Sequence, residues 1–307
     1  MFRRCRGSAA LCLLFCAVLA PLPAAAQVKG HGNAFGHGKG GAGGVTTGPS
    51  AAGAPAVQPD GTGVRNFGSW LDDASVMTPG SGFMSFAVGY WRTPGFTEFD
   101  APSFDIGVGL ARRVQIGASV PVYHASEPGG PIARGVGDLY LSSKIQLRDP
   151  AGGKGKRIGF AVIPVVEILS VAPATGGGRV SWALPGSIEV QRDGWRAYGS
   201  AGYFSRGSLF ASGAVEFSLT DRAWVTGTIS ESRSNKRDDL SRALGFSKIR
   251  TDVSGGVTVA VSNTMALFGM AGRTISRQDP NSARLFITGG LSMNFAAWQS
   301  RHREDHR

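Results

Sequence analysis

Between Phe83 and Phe295 the chain repeatedly sets apolar side chains at every second position, in runs separated by polar links rich in glycine and proline. In "GVGDLYLSSKIQLRDP" (135–150), Leu139, Leu141, Ile145 and Leu147 share one parity, while Asp138, Tyr140, Ser142, Lys144 and Gln146 fall on or between the opposite positions. A strand points successive side chains to opposite faces, so each such run carries one oily face and one polar face. The runs predict strands at 83–91, 103–111, 114–124, 137–147, 157–169, 179–191, 195–205, 209–219, 223–232, 249–261, 265–275 and 284–295. Each is long enough to cross an outer membrane at a tilt, and their number is even. The fold class expected is all-β: an antiparallel up-and-down transmembrane β-barrel of about twelve strands.

The links alternate in length, as a barrel with short turns at one end requires. Every second link is tight or turn-like: Arg112-Arg113, "RDPAGGKGK", "RDG", "TDR" and "SNT". The others include "TPGFTEFDAP", "ASEPGGPIARGV", "VAPATGGG", "SNKRDDLSRALGFSK" and "SRQDPNS". Only the link near Arg206-Gly207 is short out of phase.

Parity then assigns the two faces. If Phe104, Ile106, Val108 and Leu110 face lipid, Asp105 faces inward, and if Val114, Ile116, Ala118, Val120 and Val122 face lipid, Gln115 and Ser119 face inward. A charge facing the hydrocarbon midplane costs about 2–4 kcal/mol, so charged positions on strands mark the inner wall. The candidates for lumen residues are Asp105, Lys144, Glu167, Glu189, Arg196 and Glu216, either lining a path or pairing with one another across a narrow barrel. Tyr90, Trp91, Tyr123, Trp195, Tyr203, Trp224 and Phe295 lie at strand ends, where an interfacial girdle is expected.

The first residues fit a barrel that must be exported. Arg3, Arg4 and Arg6 precede an apolar stretch and the small residues Ala24-Ala25-Ala26, the layout of a cleavable signal peptide over 1–26. Pro21 and Pro23 cut the stretch short of the roughly 18 apolar residues that a spanning helix needs. Cys5, Cys12 and Cys16 all lie in this leader, so neither a disulfide nor a cysteine-ligated metal is expected in the mature chain. Glycine is abundant (46 of 307 residues) and charged residues are sparse at 17%, which suits a chain that hides its lipid face by alternation. The formal charge of +11 falls to about +8 once the leader arginines are gone. That excess is spread along the chain with no basic stripe, so no nucleic-acid partner is expected.

Residues 27–65 are Gly- and His-rich with almost no large apolar side chain, and are expected to be a disordered periplasmic segment. His31 and His37 there, and His302 and His306 in the polar tail 296–307, lack the further ligands that would fix a metal geometry. Residues 66–82 are a lead-in to the barrel, which occupies 83–295.

The stretch "GVGDLYLSSKIQL", in which Gly135, Gly137 and Asp138 feed an alternating strand with an internal lysine, resembles the outer-membrane family named for the MetA pathway of phenol degradation. The resemblance implies a barrel that passes hydrophobic or aromatic small molecules. The ending "GGLSMNF" is spaced like the C-terminal signal read by barrel-assembly machinery, although "AAWQSRHREDHR" follows it.

Two other readings stay open. His124 and Ser126, with Asp138 on the next strand, are similar to the base, nucleophile and carboxylate of lipid A deacylase barrels, although parity turns Asp138 away from His124. The loop "SESRSNKRDDLSRALGFSK" would serve a structural or surface protein. The leading expectation is a barrel in the bacterial outer membrane with both termini in the periplasm. It would pass or bind a small solute, with no catalytic residue, cofactor or metal, and its partners would be outer-membrane lipids, lipopolysaccharide and the assembly machinery.

Overall fold

The computed structural model describes residues 71–297, with breaks at 96, 127–131, 151–156, 171–177, 236–242, 244 and 281. The leader, the Gly/His-rich segment and the tail from 298 onward lie outside the described residues.

Alternation becomes strand throughout. The elements are β1 (Ser81–Arg92), β2 (Thr97–Ala111), β3 (Val114–Ser126), β4 (Ile132–Val136), β5 (Leu139–Arg148), β6 (Arg157–Val162), β7 (Val165–Ile168), β8 (Val180–Arg192), β9 (Trp195–Phe204), β10 (Ser208–Thr220), β11 (Ala223–Ser234), β12 (Ile249–Ala260), β13 (Met265–Thr274) and β14 (Leu285–Ala296). β4 and β5 both pair with β3, and β6 and β7 both pair with β5 and β8, so each of these couples is one crossing in two pieces. The result is twelve antiparallel crossings, closed where β1 pairs with β14 from Ser81↔Ala296 to Arg92↔Leu285. Closure gives each crossing a paired neighbour on both sides, which a β structure in hydrocarbon needs because nothing there can satisfy an open row of N–H and C=O groups.

The two breaks have local causes. At Gly137 the backbone runs so close to β3 that an ideal Cβ would lie 2.7 Å from Pro121 Cγ, and Gly137 N–H donates to the Pro121 carbonyl at 2.8 Å. Glycine is needed there for the close approach. Asp138 then accepts from the Ser170 backbone N–H at 2.8 Å and from its hydroxyl at 3.0 Å. At the other break Pro164 has no N–H to give to a ladder, while its carbonyl still accepts from Ser143.

Four tight links, after β2, β8, β10 and β12, lie at the end of the ring that also holds the start of β1 and the end of β14, whereas the three-residue link between β9 and β10 lies at the other end. Gly194 closes the two-residue turn between β8 and β9 at φ 78, a conformation that side chains with a Cβ avoid.

The wall has two faces. β8 alternates exposed and buried positions for ten residues, with Trp182, Leu184 and Ile188 outward and Ser181, Ala183, Ser187 and Glu189 inward. Ile106, Leu110, Ile116, Ile229 and Leu267 are likewise exposed on the outer face. On that face Phe295 covers its register partner Gly82, its ring approaching to 2.6 Å of where a Cβ would be.

One girdle assignment is corrected. Trp91 is buried and packs inside the barrel with Ala283, Phe286 and Met270. It shares the inward parity of β1 with Phe83 and Ser85. An aromatic residue at a strand end suits either environment, and here the parity decides.

Candidate functional site

Inside the ring, at the short-turn end, lies a segment with no strand pairing of its own. Residues 71–78 enter the barrel and reach side chains on β3, β5, β8, β9 and β10. The chain turns into β1 through Thr78-Pro79-Gly80-Ser81. Ser81 N–H donates to the Thr78 carbonyl at 3.0 Å, and Gly80 has φ 82, which makes it a type II turn with proline and glycine at their favoured positions. On the adjoining wall an ideal Cβ at Gly109 would lie 2.4 Å from the Thr78 carbonyl oxygen and 2.6 Å from that of Met77. The missing side chain is what lets the segment lie there.

Charge holds the segment. Lys144, buried on β5, donates from Nζ to Asp72 Oδ1 at 2.7 Å, Asp73 Oδ1 at 3.0 Å and the Ser75 carbonyl at 3.0 Å. Those bonds use all three donors of an ammonium. Arg196 on β9 donates to Asp73 Oδ2 at 3.0 Å and, through Nε and Nη2, to both oxygens of Glu216 on β10 at 2.7 and 3.1 Å. Its guanidinium also lies 4.9 Å from the ring centre of Tyr198, two residues along on the same face. Glu189 on β8 accepts from the Ala74 N–H, the Ser75 hydroxyl and Gln191, and stands 3.7 Å from Arg196. Gln115 accepts from Met77 N–H, Gln146 donates to the Ala74 carbonyl, and Ser187 donates to that of Asp72. Leu71 packs against Tyr198 and Ala214.

The two aspartates differ in how readily they take up a proton. Burial pushes the Asp72 carboxyl up to about 6, against the pull of Lys144. Burial would raise Asp73 too, but Lys144 and Arg196 together overcome it and hold Asp73 below the ordinary carboxylate range. In this network four carboxylates face two cations, so a proton on Asp72 relieves the excess.

Of the six candidates read from the sequence, Lys144, Glu189, Arg196 and Glu216 are therefore brought together, with 71–78 at their centre. Glu167 is fully buried elsewhere, on β7, accepting from the Tyr140 hydroxyl at 2.8 Å and lying 3.6 Å from Arg206 Nε, which donates to Ser181 at 2.8 Å. Tyr140 also belongs to an apolar cluster with Ile163, Val165, Ala183, Phe204 and Phe210. Asp105 is buried on β2 between its register partners Ser85 and Ser119.

The rest of the ring presents a different lining. Thr226, Ser230, Ser232 and Ser234 on β11, Thr258 on β12, Thr274 on β13, and Thr288 and Ser292 on β14 are all buried hydroxyls. This side is lined mainly by hydroxyls, with a buried ion pair on β12, where Arg250 Nε donates to Asp252 Oδ2 at 2.8 Å and the Thr274 hydroxyl donates to Asp252 Oδ1 at 2.6 Å.

His124 is exposed and pairs in register with Phe99 and Arg134, while Asp138 is buried and bonded to Ser170. Nothing among the described side chains joins these two, and the side chain of Ser126 lies outside the described residues. Among the described residues no group of three or more His, Cys, Asp or Glu is placed to hold a metal ion.

The 71–78 segment was missed from the sequence because it has no period and its hydrogen-bond partners on the wall lie up to 123 residues away. One local signal was present: "TPGS" immediately before β1 is a reverse turn, which sends the preceding chain back toward the barrel.

A closed twelve-crossing ring, apolar outside and polar within, defines an all-β barrel of the outer-membrane type. Among solved structures the chain is similar to the COG4313 outer membrane channel from Pseudomonas putida F1, with TM-score 0.54 and 12% identity over 73% of this chain and 98% of that one. It is also similar, more remotely, to the NanC porin (TM-score 0.49, 7% identity, 68% of this chain and 98% of that one) and to LpxR from Salmonella typhimurium (TM-score 0.43, 11%, 69% and 99%). At these identities the likeness is one of fold alone. No family model and no curated protein matches the chain.

Proposed function

We propose that the chain is an outer-membrane channel for passive movement of small molecules, inserted with its short-turn end toward the periplasm. The observation that carries this is the sorting of side chains: Leu184, Ile188 and Ile229 outward, Ser187, Glu189 and Ser230 inward, on a closed ring. Likeness in fold to a Pseudomonas putida outer membrane channel supports the reading. The resemblance of "GVGDLYLSSKIQL" to the MetA-pathway phenol family points to hydrophobic or aromatic solutes. The mixed interior, with Phe204 and Phe210 beside buried serines, suits such compounds.

Planar-bilayer recording with the purified barrel, paired with uptake of aromatic probes by cells with and without the gene, tests the proposal. Conductance steps together with a loss of uptake on deletion are expected. A barrel that neither conducts nor alters uptake would refute it.

A further inference from the structure

We propose that residues 71–78 are a gate: a removable plug that closes the short-turn mouth while clamped by Lys144 and Arg196, and that must leave for solute to pass. The inference rests on the channel reading and adds the step that controls it.

Three observations support a gate over a fixed strut. First, the segment fills the interior where it lies, since Asp73 and Ala74 are wholly buried and Leu71 and Met77 nearly so, and it touches half the ring. The segment therefore narrows the interior at that level. Second, it is fastened by side chains: Lys144, Glu189, Gln115, Gln146, Ser187 and Arg196 make the bonds. Release would return these charges to water, and that hydration offsets part of the lost attraction. A segment zipped into the sheet would have no such offset.

Third, the wall can close its own charges once the segment leaves. Arg196 keeps Glu216 and Glu189, and Lys144 lies one residue's contact from Glu189, because both bond to Ser75. Released, the wall carries two cations against two carboxylates, while Asp72 and Asp73 regain water. The turn at Pro79-Gly80 marks the point where the moving part joins the fixed β1.

The test places a cysteine at Met77, which is nearly buried, and measures its labelling by a polar maleimide in proteoliposomes, read by mass spectrometry at that position. Conductance is recorded on the same preparations. Lys144→Met removes the clamp, Gly109→Ala crowds the segment without changing charge, and deletion of 71–78 removes it. Labelling at least tenfold faster in either point variant, with conductance rising toward that of the deletion, is expected. If Lys144→Met does not fold, Gly109→Ala and the deletion carry the test. Conductance that is present but equal in the intact and deleted proteins would overturn the gate and leave the channel. Unchanged labelling in the folded point variants would overturn it as well. No conductance in any form would overturn the channel reading and the gate with it.

Discussion

Lys144 Nζ lies 2.7 Å from Asp72 Oδ1, joining the fifth strand to a residue 72 positions earlier in the chain. The contact turns a short polar lead-in into part of the barrel interior. It also leaves Asp72 and Asp73, with Glu189 nearby, depending on a shared pair of cations.

Removing the lysine should therefore cost more than removing one of its partners. Lys144→Met strands buried carboxylates and is expected to destabilise by up to about 3–5 kcal/mol, less whatever is recovered when the segment swings out. Asp72→Asn is expected to cost under about 1 kcal/mol, because the Asp72 carboxyl, raised to about 6, is already easily protonated. Unfolding in detergent, followed by the shift between compact and heat-denatured bands on a gel, gives the comparison.

The same group makes docking depend on pH. The Asp72 carboxyl in the docked state sits above its ordinary value of 3.8, so docking takes up a proton. Its contribution is complete below about 4 and is lost as pH rises through 6. Asp73 is lowered, so its contribution fails only in stronger acid. The groups facing Asp72 are Asp73 on its own segment and Lys144 on the wall, with Glu189, Arg196 and Glu216 around Asp73. Through Asp72, docking should be tighter at pH 5 than at pH 7.5 by a factor of about ten. Labelling rates of a cysteine at Met77 across that range measure it. The dependence on Asp72 should vanish in Asp72→Asn.

Glu167 offers a test of the interior away from the segment. Tyr140→Phe removes one donor and should cost about 1 kcal/mol, whereas Glu167→Ala also leaves buried Arg206 without its carboxylate and should cost about 3 kcal/mol or more. Equal effects in an unfolding titration would contradict the pairing.

Two glycines on the strands should respond oppositely. An ideal Cβ at Gly107 would lie 2.2 Å from Phe83 Cε1, so Gly107→Ala is expected to destabilise by about 1–3 kcal/mol through overpacking. At Gly227 nothing lies within 4 Å, so Gly227→Ala should be neutral or slightly stabilising. Thermal unfolding of the two variants is sufficient to separate them.

The strands were legible because lipid outside and polar groups inside force a strict two-residue period. β8 shows it plainly, and the position of the tight turns at Arg112-Arg113 and Asp193-Gly194 follows from the same phase. Parity also placed Lys144, Glu189, Arg196 and Glu216 on one surface. It could not say what they face, since the partners Asp72 and Asp73 sit on a segment with no period. Nor could strand position alone decide between a girdle and an interior site for Trp91, because an indole is stable in both.

The most direct measurement of the fold and its setting uses neighbouring residues on opposite faces of β11. Ile229 is exposed and Ser230 is buried. A fluorophore attached to a cysteine at Ile229 should be quenched strongly by brominated lipids in reconstituted vesicles, and one at Ser230 should not. Equal quenching at the two positions, or a protein that stays out of the bilayer, would contradict a membrane barrel with Ile229 facing lipid and Ser230 facing the interior.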